Sequence, residues 1–303
     1  MAEAGRQLPF DDLASAAAVS PGAGPTVLRV VLGAQLRRLR EARGLTREDA
    51  GYAIRGSGSK ISRMELGRVS FKERDVAELL NHYGVVHEEH RETLLALARQ
   101  SHIPGWWHRY SDVLPSWFEV YVGLEEAASL IRSYEVQFVH GLLQTEDYAR
   151  AVVKLAHASA PEEEIERRVH LRMRRQRLLT RPHAPTLWFV LDEAVLLRSL
   201  GGREAMRSQL EHLLEISALP NVSLQVIPFS ATHLAVVGCP FAILRFAQPD
   251  LPDMVYLEQV TSALYLDRRD DVETYARIMD GLVVAAHSPE ATREMLAGIL
   301  ART

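Results

Sequence analysis

In the first third of the chain, apolar residues recur at helical intervals. Val27, Val30, Val31, Ala34, Leu36 and Leu39 share one face of a helix running from about Thr26 to Arg43, and Gly44 ends it. Thr46-Arg47-Glu48-Asp49 has the form of a capping box, in which the Thr46 hydroxyl accepts from a backbone N–H and Asp49 reaches back. A short helix follows to about Ile54, and Gly56 breaks it. Ser57 caps a third helix that runs to about Leu66 and closes at Gly67. Further helices are predicted near Lys72–His82 and Glu88–Arg99. The core positions are Leu36, Leu39, Leu45, Ala50, Ile54, Ile61, Met64, Val76 and Leu79, with the small pair Ala50-Gly51 where two helices approach closely.

The flanks read differently. Residues 1–25 are rich in Ala, Gly, Pro and Ser without sustained periodicity, which predicts a disordered arm. Its one Arg against three acids is a poor match for phosphate. A linker is expected at 101–107, around Pro104-Gly105 and Trp106-Trp107. Beyond it, from 108 to 303, helical patterns fall at about 117–132, 145–158, 161–180, 202–218, 270–286 and 289–302. Strand-like runs are Thr186–Leu191, Val222–Ile227, Phe241–Phe246 and Met254–Leu257, rich in β-branched and aromatic residues. With no regular βαβ rhythm visible, the expectation is a mainly α head of five helices and an α+β C-terminal domain.

Composition adds limits. The 303 residues are 47% hydrophobic and 24% charged, ordinary for a folded chain. No run approaches the roughly 20 apolar residues of a membrane helix, and Met1–Phe10 lacks the apolar core of a secretory signal. The single cysteine, Cys239, excludes an internal disulfide or multi-Cys zinc site and reads as a small buried residue. A cytoplasmic, nucleoid-associated protein is expected.

Charge is distributed unevenly. Residues 26–84 hold 12 Lys and Arg against 7 Asp and Glu, although the whole chain carries −4. A basic module on an acidic body has the electrostatic form of a nucleic-acid reader. Two short capped helices joined by a glycine-bearing turn give that surface a mechanism, because the second helix of such a unit lies in the major groove of DNA.

The run Leu45-Thr46-Arg47-Glu48-Asp49-Ala50-Gly51-Tyr52-Ala53-Ile54, continued by Ser59-Lys60-Ile61-Ser62-Arg63-Met64-Glu65-Leu66-Gly67-Arg68, resembles the Xre-like (lambda-repressor-like) DNA-binding domains. The resemblance implies a five-helix domain over about 28–100 that binds double-stranded DNA. Arg47 matches a phosphate-contacting position. Ser57, Gly58, Ser59 and Arg63 match groove-facing positions, while Lys60 and Arg68 look like backbone clamps. Arg40 and Glu65 match a structural pair tying the first helix to the third. Gly58 stands where the family often has a long polar reader, so base readout falls on Arg63, Ser59 and Ser62. Arg63 suits the paired acceptors of guanine.

From Trp106 onward the sequence resembles the C-terminal domain of the actinobacterial WhiJ-like helix-turn-helix proteins. The segments that carry this include Trp107–Val113, Ile131-Arg132-Ser133-Tyr134-Glu135, Gly141–Arg150, Arg172–Leu179, Leu187–Glu193, Leu219–Pro228 and Val255–Leu266. His140 stands where these proteins commonly have proline. The resemblance implies a bacterial transcription regulator; homodimerisation is expected because one short recognition helix makes too few contacts for operator selectivity, and the second domain is expected to dimerise, sense an effector or bind a partner. An antitoxin-like module serving a small protein encoded nearby is the alternative. The effector is left open.

No chemistry is expected in this half. Asp192-Glu193 reads as a helix N-terminal charge pair. Gly201-Gly202 lacks a phosphate-loop pattern, and His82, His87 and His90 read as a loop and helix start rather than metal ligands. Arg167, Arg168, Arg172, Arg174, Arg175 and Arg177, preceded by Glu162, Glu163, Glu164 and Glu166, read as a helix that pairs with acids or a partner. The chain is expected to be no enzyme and to need neither cofactor nor metal.

Overall fold

The computed structural model describes residues 24–231, 239–248 and 251–303. Of the expected N-terminal arm, residues 1–23 lie outside the described residues. The chain divides into two compact units, Met1–His108 with Ala247–Leu251 and Arg109–Phe246 with Pro252–Thr303.

Among the described residues the first unit holds five α-helices: α1 (Pro25–Ala42), α2 (Arg47–Ala53), α3 (Gly58–Glu65), α4 (Glu73–His82) and α5 (Glu88–Gln100). Pro25 opens α1 at a position where its missing N–H costs nothing. The apolar stripe of α1 is buried, and α1 packs on α3 and α5. Tyr83 and Phe71 are fully buried in the same core. Of the expected core positions only Leu45 is half-buried; the others are inside.

In the second unit, α6 (Ser116–Ala127) leads without a break into β1 (Ala128–Glu135). Next come α7 (Glu146–Ala156), α8 (Glu162–Arg175), β2 (Thr186–Asp192), α9 (Glu193–Leu197), α10 (Arg203–Ile216) and β3 (Val222–Ile227). The chain ends with β4 (Phe241–Phe246), β5 (Met254–Glu258), β6 (Ala263–Leu266), α11 (Arg269–Ala285) and α12 (Pro289–Leu300). The sheet order is β3-β2-β1-β4-β5-β6. β1, β2 and β3 are parallel neighbours, and β4, β5 and β6 extend the sheet antiparallel on the other side of β1. One face packs Tyr134, Val190, Ile227, Phe241, Val255 and their neighbours against Met279 and Leu282 of α11. Val226 donates to Thr292 Oγ1 and accepts from the His287 N–H, so the turn between α11 and α12 covers the outer edge of β3.

The expected α+β class stands, with three corrections. The helix expected at 117–132 stops at Ala127, and the next eight residues form β1, the central strand. Neither Gly nor Pro marks that junction, and apolar residues at 117, 120, 124, 128 and 131 keep a helix-like spacing across it. Losing β1 also hid the parallel crossover β1-α7-α8-β2 and left β2-α9-α10-β3 as a lone strand-helix-strand unit. Finally, Cys239 is exposed rather than buried, since it precedes the first residue of β4 instead of lying within it.

Candidate nucleic-acid interface

The helix-turn-helix is assembled from local rules. Thr46 and Asp49 complete a reciprocal capping box at the start of α2, and their hydrogen bonds hold the Asp49 carboxyl below the usual carboxylate range. Ser57 caps α3 by accepting from the Lys60 N–H at 3.3 Å, and its hydroxyl also meets that of Ser59 at 2.9 Å. The turn between the helices passes through Arg55 at φ +53°. It lies so close to α2 that a Cβ on Gly51 would stand 2.7 Å from the Ser57 carbonyl carbon. Only glycine fits there.

One buried carboxylate fixes α3 against the other helices. Glu65, 2% exposed, accepts from Arg40 Nε at 2.5 Å and Nη2 at 3.1 Å, and from Arg47 Nε at 3.1 Å. Arg40 also donates to the Leu45 carbonyl at 2.7 Å. Its bond to Glu65 keeps the Arg40 guanidinium charged despite burial. Helices α1, α2 and α3 therefore share a single ionic node.

The outer surface of α3 remains. Ser57, Ser59 and Arg63 are exposed, and Ser62 is half-buried. The Arg63 guanidinium has no partner among the described residues. Next to it, Lys60 Nζ lies 2.6 Å from Asp75 Oδ2 of α4, and Arg55 donates to both oxygens of Glu78 at 2.6 and 2.8 Å.

Residues 118–298, more than half the chain, match the family described as a domain of unknown function, DUF5753. The chain belongs to that family. Residues 31–94 of this DUF5753 protein match a helix-turn-helix domain, so the geometry of α2 and α3 is that of a DNA-binding regulator. No curated protein and no solved structure matches the chain.

The expected site residues of the DUF5753 protein fall into three groups. Ser57, Gly58, Ser59, Ser62 and Arg63 lie together on the cap and outer side of α3. Arg40 and Glu65 form the structural node, which Arg47 joins while 41% of its side chain stays exposed. Lys60 and Arg68 are half-buried, and Lys60 is held by Asp75. Gly58 now has a local reason: a Cβ there would stand 2.5 Å from Glu48 Oε1, so the Glu48 carboxylate fills the place of the missing reader. Sequence reasoning missed the acids Glu48, Asp75 and Glu78. Asp75 and Glu78 reach their partners from the next helix, 15 and 23 residues away, and no local spacing signals such pairs.

In the second unit the arginines of α8 are mostly paired. Arg167 grips Asp112, Arg168 meets Glu164, and Arg175 forms a buried two-bond pair with Glu125 at 2.7 and 2.8 Å. Asp192 caps α9 through the Ala194 N–H, and Glu193 accepts from the Phe229 N–H. His140 caps a short 3-10 turn by accepting from the Leu142 N–H; burial pushes its pKa down to about 3 and keeps it neutral. No described helix is long and apolar enough to cross a membrane.

Proposed function

We propose that the protein is a sequence-specific transcription regulator of the Xre-like, WhiJ-like type that sets α3 in the major groove of double-stranded DNA. Arg63 carries this reading. It is an exposed guanidinium without a partner among the described residues, on a helix held by a buried node and a capped N-terminus. Its five donors match the N7 and O6 acceptors of guanine. Ser57, Ser59 and Ser62 contribute short hydroxyl contacts, and Arg47 offers its exposed portion to a phosphate. One eight-residue helix reads too few base pairs for operator selectivity, so the protein acts as a homodimer on two half-sites about one helical turn apart. The second unit dimerises and regulates, and the protein works in the cytoplasm on the nucleoid.

The test begins with genome-wide footprinting of the purified protein to define its operator, followed by affinity measurements over single-base variants. Arg63→Ala is expected to lose about 1–3 kcal/mol on the preferred site and to flatten discrimination at one base pair per half-site. Arg47→Ala is expected to weaken every sequence alike. Equal losses on all sequences for Arg63→Ala would remove Arg63 from the groove.

A further inference from the structure

An acid stands beside the outer side of α3, where attraction to phosphate gives no reason for one. Residues three and four apart share a helix face, so Gly58, Ser59, Ser62 and Arg63 lie together, with Gly58 at the N-terminal end. The first turn of α2 sits against that end. A Cβ on Gly58 would stand 3.5 Å from the Arg47 carbonyl carbon and 2.5 Å from Glu48 Oε1. The first distance is set by backbone, so the approach of α2 to Gly58 does not depend on a rotamer. The second puts the Glu48 carboxylate where a side chain of residue 58 would begin.

Glu48 is exposed and, among the described residues, has no hydrogen bond or ion pair. The other acids of α2, α3 and α4 all have partners. Asp49 is held by Thr46, Glu65 by Arg40 and Arg47, Glu73 by Arg99, Asp75 by Lys60 and Glu78 by Arg55. A first-turn acid suits the dipole of α2, but Asp49 already fills that role from its capping box. A free carboxylate at a DNA-facing surface repels phosphate and weakens binding to every duplex. It gains there only by meeting a donor on a base. The major groove offers two such donors, the N6 amine of adenine and the N4 amine of cytosine. Adenine sets its N7 acceptor beside the amine, against which a carboxylate, an acceptor only, is mismatched; the cytosine edge carries the donor alone.

We propose that Glu48 is a specificity-determining residue that selects cytosine in the operator by accepting from its N4 amine, an inference that rests on the reading that α3 lies in the major groove. Gly58 serves it by leaving the carboxylate the space of a side chain. Arg63 lies five residues beyond Gly58, about 7.5 Å along the helix axis and so roughly two base-pair steps away. The two side chains therefore read different base pairs, Arg63 a guanine and Glu48 a cytosine.

The experiment measures affinities of the full chain, at fixed salt, for the footprinted operator and all its single-base variants. The readout is the ratio between bases at each position, in which any uniform change in phosphate repulsion cancels. Glu48→Ala is expected to lose a preference for cytosine of roughly 5- to 10-fold at one base pair per half-site and to keep the preference set by Arg63. Its Tm is expected to stay near that of the parent, because the capping box is untouched. Glu48→Ala combined with Gly58→Gln puts a long polar side chain in the vacated space, and preference at that same base pair is expected to move to adenine, whose N6 and N7 match a glutamine amide. Two results overturn the inference while leaving the reading of α3 intact: Glu48→Ala tightens binding to every duplex alike, or it leaves all ratios unchanged, with the Arg63 preference present in both. A shift at a different base pair in the double variant also overturns it. A parent without preference at any base pair overturns the inference and the major-groove reading together.

Discussion

Replacing Glu65 with Ala removes three charge-assisted hydrogen bonds and leaves two guanidinium groups behind. The two do not weigh equally. Arg47 is 41% exposed and rehydrates readily, so its share is about 0–1 kcal/mol. Arg40 is only 8% exposed and keeps just the Leu45 carbonyl and a long contact to Glu41, so its charge stays buried and poorly compensated. Breaking a buried pair from one side costs about 3–5 kcal/mol, and the surviving carbonyl bond places the expected loss near 3 kcal/mol. Against a domain stability of about 5–10 kcal/mol this is a large fraction. Native-state hydrogen exchange of the α1 and α3 amides in the full chain measures it without interference from the second unit. The double variant Arg40→Met with Glu65→Leu is expected to recover most of the loss, because the charges leave together. A cost below about 1 kcal/mol for Glu65→Ala would refute the view that this node fixes α3.

Ser57→Ala removes the side-chain cap of α3 and is expected to cost about 1 kcal/mol, read as faster exchange of the amides in its first turn; unchanged exchange would count against the cap. A second prediction concerns pH. The folded pKa of Glu135, about 8, lies above its ordinary value, so between roughly pH 4.5 and 8 the native state binds more protons than the unfolded chain. Stability contributed by Glu135 is therefore full below that window and lost as pH rises through it. His140, depressed to about 3, acts oppositely: its contribution is present above about pH 6.5 and is lost as pH falls. The difference between the parent and Glu135→Gln in Tm against pH isolates the carboxyl. Parallel Tm curves from pH 5 to 8.5 would contradict its burial.

What could be read from sequence depended on whether information was local. The five helices of the first unit were legible because each has an apolar stripe within one short window, with side-chain caps starting α2 and α3 and a glycine closing α1 to α4. Strands β2, β3 and β4 were legible for a related reason, since turn residues bound their apolar runs. β1 was not, because the burial of Ala128, Ile131, Ser133 and Tyr134 is set by two flanking strands that come later in the chain. β6 has four residues, too few to establish alternation. At the interface, the sequence identified which residues lie on α3. It was silent on which of their charges are already satisfied, because Asp75 and Glu78 reach Lys60 and Arg55 only through the packing of α4.

That last point changes the electrostatics of DNA binding. The surplus of positive charge in residues 26–84 counts Lys60, Arg55, Arg40 and Arg47 as available, yet each faces a carboxylate in the fold. Counterion release follows the charges that actually meet phosphate, about −0.9 in log–log slope per contact. Asp75→Asn separates the two accounts. Asp75 is 3% exposed and Lys60 34% exposed, so removing the carboxylate's charge weakens the fold but releases Lys60 toward solvent. Stability and DNA affinity are then expected to move in opposite directions: a lower melting temperature, tighter binding at low salt, and a steeper salt slope by about 0.9 per subunit. If the slope of Asp75→Asn equals that of the parent, Lys60 does not face phosphate, and α3 meets the duplex through Arg63 and its serines alone.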